Sequence, residues 1–297
     1  MRILLYVLTN LAVVLVLGVV LRVFGVETWL FQHGVNTNLS ALLLFAAAFG
    51  FIGSFLSLAL SKWMAKMSTG ARVITAPSDP REAWLLETVH RLAQGVGVRP
   101  PEVGIFPSAA PNAFATGMFK NSALVAVSEG LLQGMRQDEI EAVLGHEMSH
   151  VANGDMVTMS LLQGVLNTFV IFLSRVVAMV VDSALGGRSE RGRSGPGFWI
   201  TTMVLQLLFG IVASMIAMSF SRWREYRADR GGAKLAGRDD MIAALRRLES
   251  MHTPSGLPQS LAAFGIKGDQ VSGLRALLMS HPPISKRIEA LQQLQEP

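Results

Sequence analysis

The chain has 297 residues, of which 51% are hydrophobic and only 16% charged, and its mean hydropathy is positive. This composition excludes an ordinary soluble globular protein, and the lack of cysteine excludes disulfides and thiolate metal sites. The net charge of +5 comes without a run of Lys and Arg interleaved with aromatic residues, so we predict basic anchors beside a lipid bilayer and no nucleic-acid partner.

Four apolar stretches are each long enough to cross about 30 Å of hydrocarbon, which takes roughly 20 helical residues. They are residues 3–23, 39–60, 156–181 and 198–220. The first is too long for the apolar core of a signal peptide, and no cleavage site follows it. We therefore predict that it is a retained membrane span.

The charges beside the first two stretches predict their orientation. The loop 24–38 contains no Lys or Arg, whereas Lys62, Lys66 and Arg72 follow the second stretch without an acidic residue between them. Positive charge marks the cytoplasmic side of a membrane protein. Both ends of this first hairpin should therefore face the cytoplasm.

The second pair of stretches is less uniform. Arg175 lies inside the third stretch, and the loop 182–197 carries three arginines. Full spanning would place this loop outside, against the charge rule, whereas a re-entrant hairpin would not. We expect full spanning and keep the re-entrant hairpin as the alternative. In both arrangements residues 61–155 and 221–297 share one compartment and can form one domain.

The segment after the second stretch predicts a mixed soluble region. Asp79 is suited to cap a helix, Pro80 to its first position, and Glu82 to close a capping box. A second helix should begin near Asp138. Three extended segments lie between the two helices, at residues 102–106, 112–117 and 123–128.

The strongest chemical signal is His146-Glu147-Met148-Ser149-His150. Residues four apart lie on one helix face, so both imidazoles can bind one metal ion. Glu147 would lie beside that ion, where it can accept a proton from water. The alternative is a helix with two unrelated histidines.

A hydrolytic zinc site has three protein ligands and one open position. Without cysteine, the third ligand must be His, Asp or Glu. Glu225, just after the fourth apolar stretch, is the best candidate, and Asp229 one turn later could orient a ligand imidazole. On spacing alone, a charged helix start beside the membrane explains both residues equally well.

Other residues are candidates for catalysis. His281 precedes two prolines that define a helix start, and its imidazole could hydrogen-bond the oxyanion or the attacking water. Arg227 could also assist the oxyanion. The alternative for His281 is a structural bond at the helix start.

The second extended segment is a candidate substrate-binding strand. An exposed sheet edge offers unpaired backbone groups to a peptide in extended form, although an ordinary sheet strand is equally consistent with the pattern. The residues concerned are Asn112, Ala113, Phe114 and Ala115.

The combination of these motifs with paired apolar stretches resembles the HtpX family of bacterial membrane zinc metalloproteases over nearly the whole chain. The resemblance implies His146, His150 and Glu225 as ligands of one zinc ion per chain, and Glu147 as the general base. It also implies a stress-induced protease, related to the CAAX prenyl endopeptidases, that acts on damaged or misfolded membrane proteins from the cytoplasmic side of the inner membrane.

We accordingly predict a mainly α integral membrane protein, with four apolar helices and a cytoplasmic zincin-type metalloprotease domain that contains a small β-sheet. Its predicted segments are a transmembrane hairpin (1–60), the zinc-motif part of the catalytic domain (61–155), a transmembrane or re-entrant hairpin (156–220) and the third-ligand part (221–297).

Two alternative functions are a proteolytically silent membrane scaffold with a structural zinc site and a prenyl-protein protease. The scaffold would not need Glu147, and four apolar stretches are few for a prenyl-protease chamber. The sequence leaves open a homo-oligomer and association with other membrane quality-control proteases.

Overall fold

The computed structural model describes residues 2–33, 35, 37–184, 196–251, 277 and 279–294. The helices are α1 (Arg2–Val23), α2 (Val26–Gln32), α3 (Leu39–Thr69), α4 (Pro80–Gly95), α5 (Glu129–Gly134), α6 (Gln137–Asn153), α7 (Asp155–Ala184), α8 (Pro196–Ala236), α9 (Arg238–Met251) and α10 (Ile284–Gln292). The strands are β1 (Arg72–Val73), β2 (Glu102–Phe106), β3 (Ala113–Thr116) and β4 (Leu124–Ser128). The predicted mainly helical fold with a small sheet is confirmed.

Three described helices, α3, α7 and α8, are long and apolar enough to cross a membrane. A fourth candidate is formed by residues 11–23 of α1 together with α2, which meet at a bend of 53°. The bend lies at Gly25, whose φ of +60° is in the left-handed region that favours glycine. The sequence predicted one span and a loop here, and did not predict α2.

Two of the apolar helices continue beyond their apolar stretches. The helix α3 extends to Thr69, and its last turns carry Lys62 and Lys66. Their Nζ atoms donate to the two carboxylate oxygens of Glu102 on β2, at 2.7 and 2.6 Å. These lysines therefore attach the end of α3 to the sheet in addition to marking the charge asymmetry.

The chain forms two compact units, the first from residues 1–58 and 157–217 and the second from residues 59–156 and 218–297. In the first unit α3 and α7 pack closely. A Cβ added at Gly50 would lie 2.5 Å from Thr168 Oγ1, and one at Gly164 would lie 2.4 Å from the ring of Phe51. Small residues at such contacts let membrane helices approach each other.

The far end of α7 lies beside the segment that follows α2. The Ser183 hydroxyl donates to the carbonyl oxygen of His33 at 2.7 Å. Phe172 of α7 is buried in the same apolar cluster as Leu30 and Leu39. The C-terminal end of α7 therefore lies at the same end of the first unit as the loop between the first two apolar stretches.

The second unit contains the sheet, with strand order β1-β2-β4-β3. The pair β2–β4 is parallel, and the two outer strands are antiparallel to their neighbours. All five residues of β4 are buried, because the strand lies between β2 and β3 and packs against α5 and α6. Among the described residues, no strand pairs with the second edge of β3, which leaves that edge free.

The start of α4 partly matches its prediction. Asp79 caps the helix by accepting from the Glu82 backbone N–H at 2.8 Å, as predicted. The predicted capping box is wrong, because the Glu82 carboxylate instead accepts from the backbone N–H and hydroxyl of Ser78 and pairs with Arg72. Arg72 on β1 provides a charged partner that a backbone N–H cannot match.

The three arginines of the loop 182–197, at positions 188, 191 and 193, fall outside the described residues. Their placement, like the four segment boundaries proposed from the sequence, stays a prediction.

Candidate metal centre

The two motif histidines lie on one face of α6, as their spacing predicts. The helix runs from Gln137 to Asn153 and ends at Gly154, whose φ is +67°. His146 is buried, and His150 is partly buried. Their Nε2 atoms face each other at 3.2 Å.

Glu225 of α8 completes the group. Its Oε2 lies 3.4 Å from His146 Nε2, and its Oε1 lies 3.3 Å from His150 Nε2. The three ligand atoms all lie within 4.8 Å of one another. Glu225 is only 2% exposed, so its carboxylate has little access to water.

Glycines bring α8 close enough to α6 for this meeting. A Cβ added at Gly231 would lie 2.2 Å from the Ser149 hydroxyl oxygen, and one at Gly145 would lie 3.3 Å from the Cα of Gly232. Side chains at these positions would hold the helices apart. The acidic residues of α8 reach the imidazoles because the contact lacks Cβ atoms.

Asp229 lies against the first imidazole, where the sequence predicted an orienting residue. Its Oδ1 is 2.9 Å from His146 Nδ1. Arg287 of α10 binds the same carboxylate through Nε and Nη2, at 2.8 and 2.5 Å. The carboxylate therefore connects a buried arginine to a candidate ligand.

Asp155 contacts the second imidazole in the same way, although the sequence did not predict this contact. Its Oδ2 lies 2.7 Å from His150 Nδ1, and Asp155 itself is fully buried. Its other carboxylate oxygen binds the Arg227 guanidinium. The signal that could have revealed it is an Asp directly after the helix-ending Gly154, one turn beyond His150.

These surroundings suit a metal cation. Each Nδ1 faces a carboxylate that can accept its proton, so each Nε2 can offer its lone pair to a metal ion bound beside Glu225. Burial disfavours a charged imidazole, but hydrogen bonds to Asp155 and Glu225 outweigh it and raise the pKa of His150 to about 9. Burial also disfavours a charged Glu225, yet the surrounding histidines hold the pKa of its carboxyl far below the ordinary value. Two imidazoles and one carboxylate around a centre that favours positive charge are a donor set for zinc.

His281 also reaches this centre. Its Nδ1 lies 2.7 Å from Glu225 Oε2, and its side chain is 62% exposed. The Arg227 guanidinium, by contrast, contacts Asp155 and stacks over the Trp223 ring at 5.0 Å. His281 thus contacts the candidate ligand Glu225, whereas Arg227 contacts Asp155, and the catalytic role predicted for each stays a prediction.

A cavity of about 360 Å³ opens beside the candidate ligands His146 and Glu225. Glu147 lines it together with His146, Glu225 and His281, so a molecule in the cavity can meet the predicted base. Asn112 and Ala113, at the start of the edge strand β3, line it too. Part of the remaining wall is apolar and comes from Leu131, Val143, Met241, Leu245, Leu248 and Met279.

Sequence comparison finds relatives that match nearly the full length of this chain. The family model of Peptidase family M48 matches residues 79–295. The chain is 59% identical over 294 residues to "Protease HtpX" of Thioalkalivibrio sulfidiphilus, with 99% of each chain covered. It is 56% identical to "Protease HtpX homolog" of Thiobacillus denitrificans, again with 99% of each chain covered.

One solved structure gives a similar picture of the fold. The crystal structure of S. mikatae Ste24p superposes with a TM-score of 0.61, covering 97% of this chain and 67% of that chain. The sequence identity is 20%, so the likeness concerns the fold alone.

Proposed function

The chain belongs to peptidase family M48 as one of its HtpX proteases, and is thus a membrane metallopeptidase; we propose that it is a zinc-dependent endopeptidase that cleaves cytoplasmic regions of damaged or misfolded membrane proteins. The observation that carries the proposal is the meeting of His146, His150 and Glu225, with Glu147 lining the same cavity. The further proposal of quality control under stress at the bacterial inner membrane is supported by the likeness to HtpX proteases.

Each residue of the site has its own role in the proposed hydrolysis. Zinc held by His146, His150 and Glu225 would supply a Lewis acid that activates water and polarises the scissile carbonyl. Glu147 accepts the proton of the attacking water and delivers it to the departing amine. The exposed imidazole of His281 lies at the cavity and is the better-placed donor for the developing oxyanion, because Arg227 contacts Asp155.

A peptide substrate would bind along β3. The edge of this strand that pairs with no other described strand offers backbone hydrogen-bonding groups, and such pairing tolerates many side chains. Asn112 and Ala113 line the same cavity as Glu147, so a peptide paired here would pass the base. This geometry supports the substrate role proposed for Asn112, Ala113, Phe114 and Ala115.

Removal of the base tests the enzymatic proposal. In the purified protein, Glu147→Gln should lower peptide-bond cleavage by at least about 100-fold, because general-base catalysis contributes about 10² to 10⁴. Zinc content should stay that of the wild type, since Glu147 is not a proposed ligand. A matched control is Glu141→Gln on the same helix. The Glu141 carboxylate pairs with Arg91 at 2.8 Å and does not line the cavity. Equal cleavage by wild type and Glu147→Gln would mean that the cleavage does not come from this site, which would favour the silent scaffold.

Proximity of the site to the membrane should favour tethered substrates. The apolar stretch of α8 ends at residue 220, and Glu225 follows about 7.5 Å further along the helix. We expect a cleavable sequence placed beside a membrane span to be cut faster in proteoliposomes than the same sequence as a free peptide. Equal rates for the two substrates would contradict this placement. A prenylated and an unprenylated peptide, compared in the same assay, distinguish the prenyl-protease alternative.

A further inference from the structure

We propose that Asp155 is a positioning residue for His150, and that Arg227 holds Asp155 in place for this task. The proposal rests on the zinc peptidase function and adds to it a second orienting arm, by which we mean an imidazole Nδ1 joined to a buried carboxylate and then to an arginine. In this arm the Asp155 carboxylate accepts the Nδ1 proton of His150, which fixes the tautomer that directs the Nε2 lone pair at the metal.

The local backbone places Asp155 for this contact. Gly154 ends α6 with a φ of +67°, a backbone conformation that residues with a side chain rarely adopt. Its N–H donates to the carbonyl oxygen of Val151 at 3.0 Å. The chain then turns directly into α7, whose first residue is Asp155. As a result Oδ2 of Asp155 lies 2.7 Å from Nδ1 of His150.

Two arginines of α8 contact Asp155, one at its carboxylate and one at its backbone. The Arg227 guanidinium binds the oxygen of Asp155 that His150 does not use. Arg224 donates to the backbone carbonyl oxygen of Asp155 at 3.3 Å. A fully buried carboxylate is costly unless it is paired, and Arg227 supplies the pairing, while the Arg224 contact holds the backbone of Asp155.

The arrangement repeats the one at His146. There Asp229 accepts from the imidazole, and Arg287 of α10 binds Asp229. The two arms use different helices, yet each joins an imidazole Nδ1 to a buried carboxylate and then to an arginine. Both ligands thus have their Nδ1 atoms occupied, and both Nε2 atoms point at Glu225.

Zinc affinity of the purified full-length protein tests the proposal, with zinc titrated against a chelator of known affinity. Asp155→Ala should weaken zinc binding by about 10- to 100-fold, the usual effect of losing a partner of a metal ligand. Asp155→Asn should recover part of the loss, because an amide oxygen can still accept the Nδ1 proton. A matched control is Asp239→Asn, since the Asp239 side chain is 88% exposed and does not line the cavity.

Two further readouts separate positioning from a general loss of stability. The visible absorption spectrum of the cobalt-substituted protein should change in Asp155→Ala and stay that of the wild type in Asp239→Asn. With zinc at saturation, kcat should fall while KM for a peptide stays nearly the same, because Asp155 does not line the substrate cavity.

Wild-type zinc affinity and an unchanged cobalt spectrum in Asp155→Ala would overturn the proposal. If this variant does not fold, Arg227→Met takes its place, with weaker zinc binding expected and wild-type binding as the contrary result. The proposed function fails separately, since in that case the wild-type protein itself would neither retain zinc nor cleave peptides.

Discussion

Single buried charges in the second unit have specific partners of opposite charge. Asp229 is 1% exposed and binds Arg287 through both carboxylate oxygens. Glu82 is 3% exposed and binds Arg72 and Ser78. Removing one member of such a pair leaves a charge without its partner, which is more damaging than the loss of an exposed ion pair.

The Glu82 contacts predict a pH-dependent contribution to stability. Hydrogen bonds from Arg72 and Ser78 lower the pKa of the Glu82 carboxyl from 4.5 to about 2. A carboxyl whose pKa is lower in the folded than in the unfolded state stabilises the folded protein. The full contribution is present above the pKa of the unfolded state and is lost as pH falls toward the pKa of the folded state. The contribution should therefore be present at pH 7 and disappear between about pH 4.5 and 2.

Thermal unfolding in detergent checks this expectation. Glu82→Gln should lower Tm by a few degrees at pH 7, and the difference from wild type should narrow below pH 4.5 and close near pH 2. The exposed Glu87 on the same helix provides the control, since Glu87→Gln should leave Tm nearly unchanged. A Tm difference that stays constant from pH 7 to pH 3 would contradict the role assigned to Glu82.

At the scale of helices and strands, the site depends on the contact between α6 and α8. The His-Glu-x-x-His spacing is fixed within α6, because residues four apart share a helix face regardless of the rest of the fold. The distance to Glu225 is set by how closely α8 approaches. Gly231 and Gly232 allow this approach, and a Cβ at Gly232 would already lie 3.0 Å from the backbone nitrogen of His146.

A glycine substitution on α8 tests this contact. Gly231→Ala adds a Cβ that would lie 2.7 Å from Ser149 Cβ, and such overpacking costs about 1–3 kcal/mol. Alanine gains about 1 kcal/mol in helix propensity over glycine, which does not offset the upper part of that range. We expect lower thermal stability and weaker zinc binding.

Gly210→Ala on the same helix is the matched control, since no atom lies within 4 Å of the added Cβ. It should keep wild-type zinc affinity and be at least as stable as the wild type. If Gly231→Ala behaved like Gly210→Ala in both measurements, the close helix contact would not be what sets the position of Glu225.

At the scale of the whole molecule, contacts within the first unit favour full spanning of the second apolar hairpin over the re-entrant alternative. Ser183, near the end of α7, donates to His33 in the segment after α2. The charge rule places that segment outside the cytoplasm. The end of α7 should therefore be outside as well, even though the loop beyond it is rich in arginine.

Single-cysteine labelling tests this topology, and the cysteine-free chain provides a clean background. Glu27→Cys and Ala184→Cys, at exposed positions, should both react with a membrane-impermeant maleimide applied to the outside of intact cells. Lys120→Cys, in the second unit, should react only after the membrane is permeabilised. Labelling of Ala184→Cys together with Lys120→Cys, and not with Glu27→Cys, would indicate a hairpin that turns back.

Local and periodic features were accessible from the sequence alone. Apolar length predicted the membrane-capable helices, because crossing hydrocarbon requires about 20 consecutive apolar residues. Helical spacing predicted the pairing of His146 with His150, because residues four apart share a helix face. The Asp79 cap was also predicted, since capping depends on residues within one turn.

Contacts between distant segments were decided only by the tertiary structure. Spacing alone could not distinguish Glu225 as a ligand from a charged helix start, and the resemblance to a family supplied that choice before the fold placed the carboxylate between the imidazoles. Asp155 was missed because its partner Arg227 lies on another helix, and Arg287 was missed because its partner Asp229 does. Each acquires its partner when separate helices pack, and a one-dimensional pattern does not record which side chains packing brings within hydrogen-bonding distance.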